Sequence, residues 1–115
     1  MKKTYINQIF TGKSQILPGG HASGIIKHAV SGPVELTREG LVGDVQADRR
    51  FHGGVDKAVH HYAAENYFLL QEYFPEIESN FVPGSIGENI STEGWDETTV
   101  CIGDVFQIGA GKVQV

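Results

Sequence analysis

Gly43-Asp44-Val45-Gln46-Ala47-Asp48, followed by His52-Gly53-Gly54-Val55-Asp56-Lys57, is the stretch on which the reading of this chain turns. It belongs to a polar segment, Thr37 to Gly54, that is dense in Asp, Arg, Gln and His and poor in apolar residues. Neither the strand period nor the helix period of hydrophobic residues runs through it, so it cannot be core. It reads as a loop, and polar loops on a rigid scaffold often carry function. Paired glycines let a backbone take positive φ or come close to a ligand. Peptide N–H groups in such a turn bind anions. Arg49, Arg50 or Lys57 can add charge-assisted bonds to a phosphate. His52 and Asp56 can orient each other or serve as acid and base. The plainer reading is a structural loop, with Asp44, Asp48 and Asp56 capping turns through the backbone and His52 a turn donor. The residues alone leave both readings open.

Outward from this stretch the chain reads as short strands. On the N-terminal side, Tyr5 to Phe10 mixes β-formers with polar residues, and Pro18-Gly19-Gly20 makes a turn. Ser23 to Val30 reads as a strand ended by Ser31-Gly32-Pro33, and Val34-Glu35-Leu36 as a shorter one. On the C-terminal side, Ala58 to Tyr62 reads as a strand and Ala63 to Phe74 as a helix. Tyr67, Leu70 and Phe74 recur at helical spacing, and Pro75 stops the run. One helix from Asp56 to Phe74 is the competing reading. Ile77 to Gly84 reads as a loop, Ile86 to Ile90 as a strand entered through Gly87, and Ser91 to Thr98 as a polar excursion. Val100 to Ile108 is β-like with a bend at Gly103-Asp104, and Lys112 to Val115 alternates as a half-buried strand does.

Composition bounds the alternatives. The 115 residues suffice for one domain, and 40% hydrophobic content with six Phe and four Tyr argues against disorder. A net charge of −5 argues against a nucleic-acid partner, which favours a basic face. A single cysteine, Cys101, excludes an intrachain disulfide framework and points to a reducing, cytoplasmic setting. Its neighbours Val100, Ile102 and Val105 predict a buried, inert thiol. No run of apolar residues is long enough for a membrane span.

Two further clusters bear on chemistry. His52, Asp56, His60 and His61 lie close in sequence. On a helix Asp56 and His60 would share a face, whereas on a strand His60 and His61 point apart, so no metal site is assigned. Glu88 and Asn89 after Gly87 can read the amide or ring-nitrogen groups of a heterocycle, or simply close a turn.

Taken in order, Gly40 to Asp48, His52 to Val59, Ile86 to Ser91 and Ile102 to Phe106 resemble the MOSC domain, in particular its small stand-alone bacterial members. The resemblance runs from about Thr11 to the last residue. It implies a mainly β fold with one or two helices, a MOSC-like distorted β-barrel that is incomplete in this chain. It implies binding of the molybdenum cofactor (molybdopterin) and help in reducing N-hydroxylated compounds. Asp44, Gln46, Asp48, His52, Gly53, Gly54, Asp56, Lys57, Glu88 and Asn89 would then line the pterin pocket. In the family the molybdenum is held by a cysteine thiolate downstream of the strand matching Lys112 to Val115. Cys101 occupies a different place, and the ligand role is not transferred to it. The expectation is therefore of one domain truncated at its C-terminus, inactive as a molybdenum enzyme by itself.

Three functions follow for testing. One is a module of a molybdenum-dependent oxidoreductase with a small-molecule substrate and a redox protein partner. Another is a non-catalytic carrier that delivers cofactor or sulfur. The last is a β-domain without cofactor. A barrel cut after Val115 would also leave unpaired strand edges, which predicts homo-oligomers.

Overall fold

The structure is a computed structural model that describes residues 5–45 and 54–115. The segment of β-formers and polar residues near the N-terminus forms β1 (Ile6–Thr11), followed by β2 (Gln15–Ile16), β3 (Ala22–Ser23), β4 (His28–Val30), β5 (Leu36–Thr37) and β6 (Gly40–Leu41). After the polar stretch come a 3-10 turn (Val55–Lys57), β7 (His61–Ala63) and α1 (Asn66–Tyr73). A second 3-10 segment (Pro75–Asn80), β8 (Ile90–Thr92), β9 (Val105–Ile108) and β10 (Gly111–Gln114) complete the order.

The main sheet has the order β4-β1-β8-β7. β1 is antiparallel to both of its neighbours, and β7 runs parallel to β8. Parallel neighbours need a crossover, and α1 with the following 3-10 segment supplies it. Three two-stranded ribbons, β2-β3, β5-β6 and β9-β10, surround this sheet. Among the described residues the sheets do not close into a barrel, so the fold is mainly β with one principal helix.

Side chains from both β1 and the crossover meet in the core, where Phe10, Ile90, Ala63, Tyr67 and Leu41 are buried. Gly84 lets Phe10 into that position. A Cβ on Gly84 would stand 2.8 Å from the Phe10 ring, and its φ is +95°.

Several local expectations change. The strand expected over Ser23–Val30 splits into β3 and β4. Gly12 presses on the connecting piece: a Cβ there would lie 2.1 Å from the Ile26 carbonyl oxygen. The expected strand Ile86–Ile90 starts only at Ile90 and runs on to Thr92, so Ser91 and Thr92 are buried strand residues and not part of a polar excursion. Gly87, at φ +88°, turns the chain immediately before it, against Ile25. The strand-then-helix reading holds over the single helix, because Ala63 ends β7 and α1 starts at Asn66. Cys101 is exposed and not buried. Val100–Asp104 is a turn and not a strand, closed by Asp104 N–H on the Cys101 carbonyl at 3.0 Å and by Cys101 N–H on Asp104 Oδ2 at 2.9 Å.

Candidate functional site

The described part of the glycine-punctuated stretch is held at its two ends by two of the residues singled out from sequence. At the entrance, Asp44 Oδ1 accepts from the Gly12 N–H at 2.9 Å and from Lys27 Nζ at 2.6 Å. Both side chains of this ion pair are almost wholly buried, at 6% exposure for Lys27 and 1% for Asp44. Val45 N–H donates to the Gly12 carbonyl at 3.0 Å, which continues the same attachment. Pairing is what makes the burial of these charges tolerable, since an isolated buried charge costs several kcal/mol.

At the exit, Asn89 performs the matching task. Its Oδ1 accepts the His60 N–H at 3.0 Å, and its Nδ2 donates to the Phe10 carbonyl at 3.1 Å. The Asn89 backbone adds an N–H bond to the His60 carbonyl at 2.7 Å and accepts from Phe10 N–H at 2.8 Å. An amide side chain accepts at its oxygen and donates from its nitrogen, so Asn89 stitches the segment at His60 to β1. These two attachments make a frame that holds Asp44 and Val45 at Gly12 and, through Asn89, His60 at Phe10.

Glu88 lies beneath this frame and is wholly buried. Its Oε2 accepts from the Tyr67 hydroxyl at 2.5 Å and from Gly84 N–H at 3.0 Å. The Tyr67 oxygen in turn accepts from Ile86 N–H at 3.2 Å. Glu88 thereby ties α1 to the Gly84–Gly87 turn. Burial, and then the hydrogen bond to Glu88, push the Tyr67 phenol up to about 12. Glu88 Oε1 has no hydrogen-bond partner among the described residues.

From Gly54 to Lys57 the chain is half-exposed or exposed. Gly54 takes φ +76°, and a Cβ built there meets nothing within 4 Å, so the backbone is open to close approach. Asp56 and Lys57 are exposed on the 3-10 turn that Lys57 N–H closes on the Gly54 carbonyl at 3.2 Å. Gln46, Asp48, His52 and Gly53 lie outside the described residues. The sequence-assigned residues therefore divide into posts (Asp44, Glu88, Asn89) and an open surface (Gly54, Asp56, Lys57).

Three participants were given no site role from sequence. Lys27 sits in a segment expected to be plain strand, and nothing in its spacing points to Asp44. Tyr67 was legible as a core residue, but its hydroxyl bond was not. His61 lies on β7 with Nε2 2.6 Å from the Thr92 hydroxyl. Partial desolvation, then the neighbouring His60, lower its pKa below the usual imidazole value.

The sequence profile of the MOSC domain matches residues 48–115, a span that contains the exit post, the glycine turn and the β9-β10 hairpin. The chain belongs to the MOSC domain family. This MOSC chain is 43% identical over 111 residues to protein YiiM of Escherichia coli, covering 96% of the chain and 50% of that relative. It is 34% identical over 97 residues to a protein named reductase from Gibberella moniliformis, covering 84% of the chain and 17% of that protein. The crystal structure of YiiM from E. coli superposes with a TM-score of 0.71 at 31% identity, covering 98% of the chain and 45% of YiiM. YiiM from Geobacillus stearothermophilus gives a TM-score of 0.72 at 28% identity, covering 98% of the chain and 50% of that structure. The MOSC chain spans half or less of the length of these curated relatives. No helix among its described residues is long and apolar enough to cross a membrane.

Proposed function

We propose that this MOSC chain forms part of the wall that holds the molybdenum cofactor in a reductase of N-hydroxylated compounds. The observation that carries the reading is the pair of posts, Asp44 and Asn89, fixing both ends of a polar, glycine-containing stretch inside a MOSC sequence. Similarity to a protein named reductase supports the oxidoreductase class.

The residues present fit the cofactor's anionic side. Gly54, at positive φ with open space in front of it, leaves its backbone open to close approach, and Lys57 stands exposed one short turn later. The backbone at Gly54 would approach the pterin or its phosphate, and Lys57 would supply a point charge to the phosphate. Glu88 and Asn89 act from behind, setting the position of the exit segment without touching the cofactor. When bound, molybdenum supplies oxygen-atom and electron-pair exchange. The overall reduction takes an N-hydroxylamine, an electron pair and a pair of protons to an amine and water. Cys101, exposed in a turn, is not assigned to the metal.

The full chain, expressed in cells that make the cofactor, tests this reading. Pterin is measured by fluorescence after oxidation, molybdenum by mass spectrometry, and turnover with a hydroxylamino purine and a chemically reduced viologen dye. Bound pterin that is lost in Lys57→Glu and Gly54→Val supports the assignment. Absence of pterin from wild type and variants alike overturns it. Turnover is read in the protein extended to the length of its relatives, where bound cofactor without turnover replaces the reductase by a carrier or delivery module.

A further inference from the structure

Beside α1 and the main sheet lies a cavity of about 240 Å³. Ala64, Tyr67, Phe68, Phe81, Val82 and Pro83 give it an apolar wall. Gln8 and Ser91, paired across β1 and β8, also line it. Ser91 is 1% exposed, and its hydroxyl is buried without a hydrogen-bond partner. A buried, unsatisfied hydroxyl costs about 1–3 kcal/mol, a cost that a ligand group reaching it would recover.

Size and charge narrow the occupant. Small-molecule sites commonly run from roughly 300 to 1,000 Å³, and this cavity falls below that range. It suits one ring with a polar tip, the shape of a tyrosine or tryptophan side chain, which dominate the anchors of protein interfaces. The apolar surface continues outside the cavity, where Phe68 is 68%, Leu69 53% and Tyr73 77% exposed. Phe74 stacks on Phe81 at a centroid distance of 5.8 Å and joins this apron to the cavity wall. The surround is acidic. Between Lys57 and Lys112 the sequence has no Lys or Arg, while Glu65, Glu72, Glu76, Glu78 and Glu93 stand on or beside the elements that build the wall. Such a face repels a second copy of itself and an anionic membrane, and attracts a basic surface.

We propose that this cavity is the anchor pocket for an aromatic side chain, tyrosine or tryptophan, presented by a protein partner whose docking face is basic. The ring fills the space between Phe68 and Phe81, its polar tip bonds Ser91, and the carboxylates set the approach. This surface is independent of the cofactor reading, and either can fail without the other.

The test titrates the isotope-labelled full chain with the peptides Lys-Lys-Trp-Lys-Lys, Lys-Lys-Phe-Lys-Lys and Lys-Lys-Ala-Lys-Lys, read by amide chemical shifts. The tryptophan peptide should shift Gln8, Phe68, Gln71 and Ser91 and bind at least about tenfold more tightly than the alanine peptide, the scale of an interface hot spot. Its affinity should fall as salt rises. Phe68→Ser, at an exposed position, should weaken it without lowering Tm. Ser91→Ala should narrow the preference for tryptophan over phenylalanine while leaving Tm unchanged or higher, a pair of effects that a merely structural serine would not give. Equal binding of the tryptophan and alanine peptides would reduce the face to a nonspecific acidic surface and overturn the proposal. So would shifts confined to other regions, or a dimer in sedimentation that Phe68→Ser dissociates.

Discussion

Replacing Asn89 by alanine isolates the exit post. The side chain is 3% exposed and makes two hydrogen bonds, from the His60 N–H at 3.0 Å and to the Phe10 carbonyl at 3.1 Å. Each such bond contributes about 1 kcal/mol net, and the His60 N–H left without a partner costs about 1–3 kcal/mol more. The sum is about 3–5 kcal/mol, a large share of the roughly 5–15 kcal/mol that holds a domain together. Urea unfolding by linear extrapolation should show a lower midpoint with an unchanged slope. Hydrogen exchange should show the His60 amide losing more protection than the strand amides of β9, because the damage is local. Asn89→Asp keeps the acceptor but loses the donor to Phe10 and buries a charge, so it should be no milder. A loss below about 1 kcal/mol for Asn89→Ala, within the range of surface substitutions, would refute the assignment of Asn89 as a post.

Asp44→Asn strands the buried Lys27 charge and should cost about 3–5 kcal/mol in the same urea assay, whereas Lys27→Met combined with Asp44→Leu should recover most of the loss. Tyr67 governs the alkaline limit. Its folded pKa of about 12 exceeds the unfolded value of 10.0, so the unfolded chain ionises first and stability falls as pH rises between them; Tyr67→Phe should flatten that fall in pH-dependent melting. His61 has the opposite consequence on the acid side. Its folded pKa lies below 6.5, so the unfolded chain takes up the proton first and stability declines as pH drops below 6.5; His61→Gln should remove that contribution. The exposed edges of β4 and β7 lead us to propose concentration-dependent self-association, and a single sharp monomer in sedimentation at high concentration would count against it.

The family and the mainly β character were legible because they reside in local signals: glycine positions, β-formers in Ile6–Thr11, alternation in Lys112–Val115, and the stop at Pro75. The polar residues that matter were legible as a set, but their roles were not. Asp44 and Asn89 look like ligand contacts in sequence because both are polar and lie within two residues of a glycine. Their partners, Gly12 and Lys27 in one case and Phe10 and His60 in the other, are brought in by long-range sheet pairing that no local pattern encodes. The same reason hid Ser91 and Thr92. Their polarity suggested a loop, while pairing of β8 with β1 and β7 buries them. Cys101 failed in the reverse direction, because apolar neighbours suggested burial and the Asp104 side chain instead folds the segment into an exposed turn.

Pterin retention is the most direct trial of the cofactor wall. The full chain is mixed with cofactor freshly released from a molybdenum enzyme, passed through gel filtration, and assayed for oxidised pterin by fluorescence. The wild type should carry pterin in the protein peak, and Lys57→Glu, Gly54→Val and Asn89→Ala should each carry less. A protein peak free of pterin, or equal pterin in wild type and all three variants, would contradict the account.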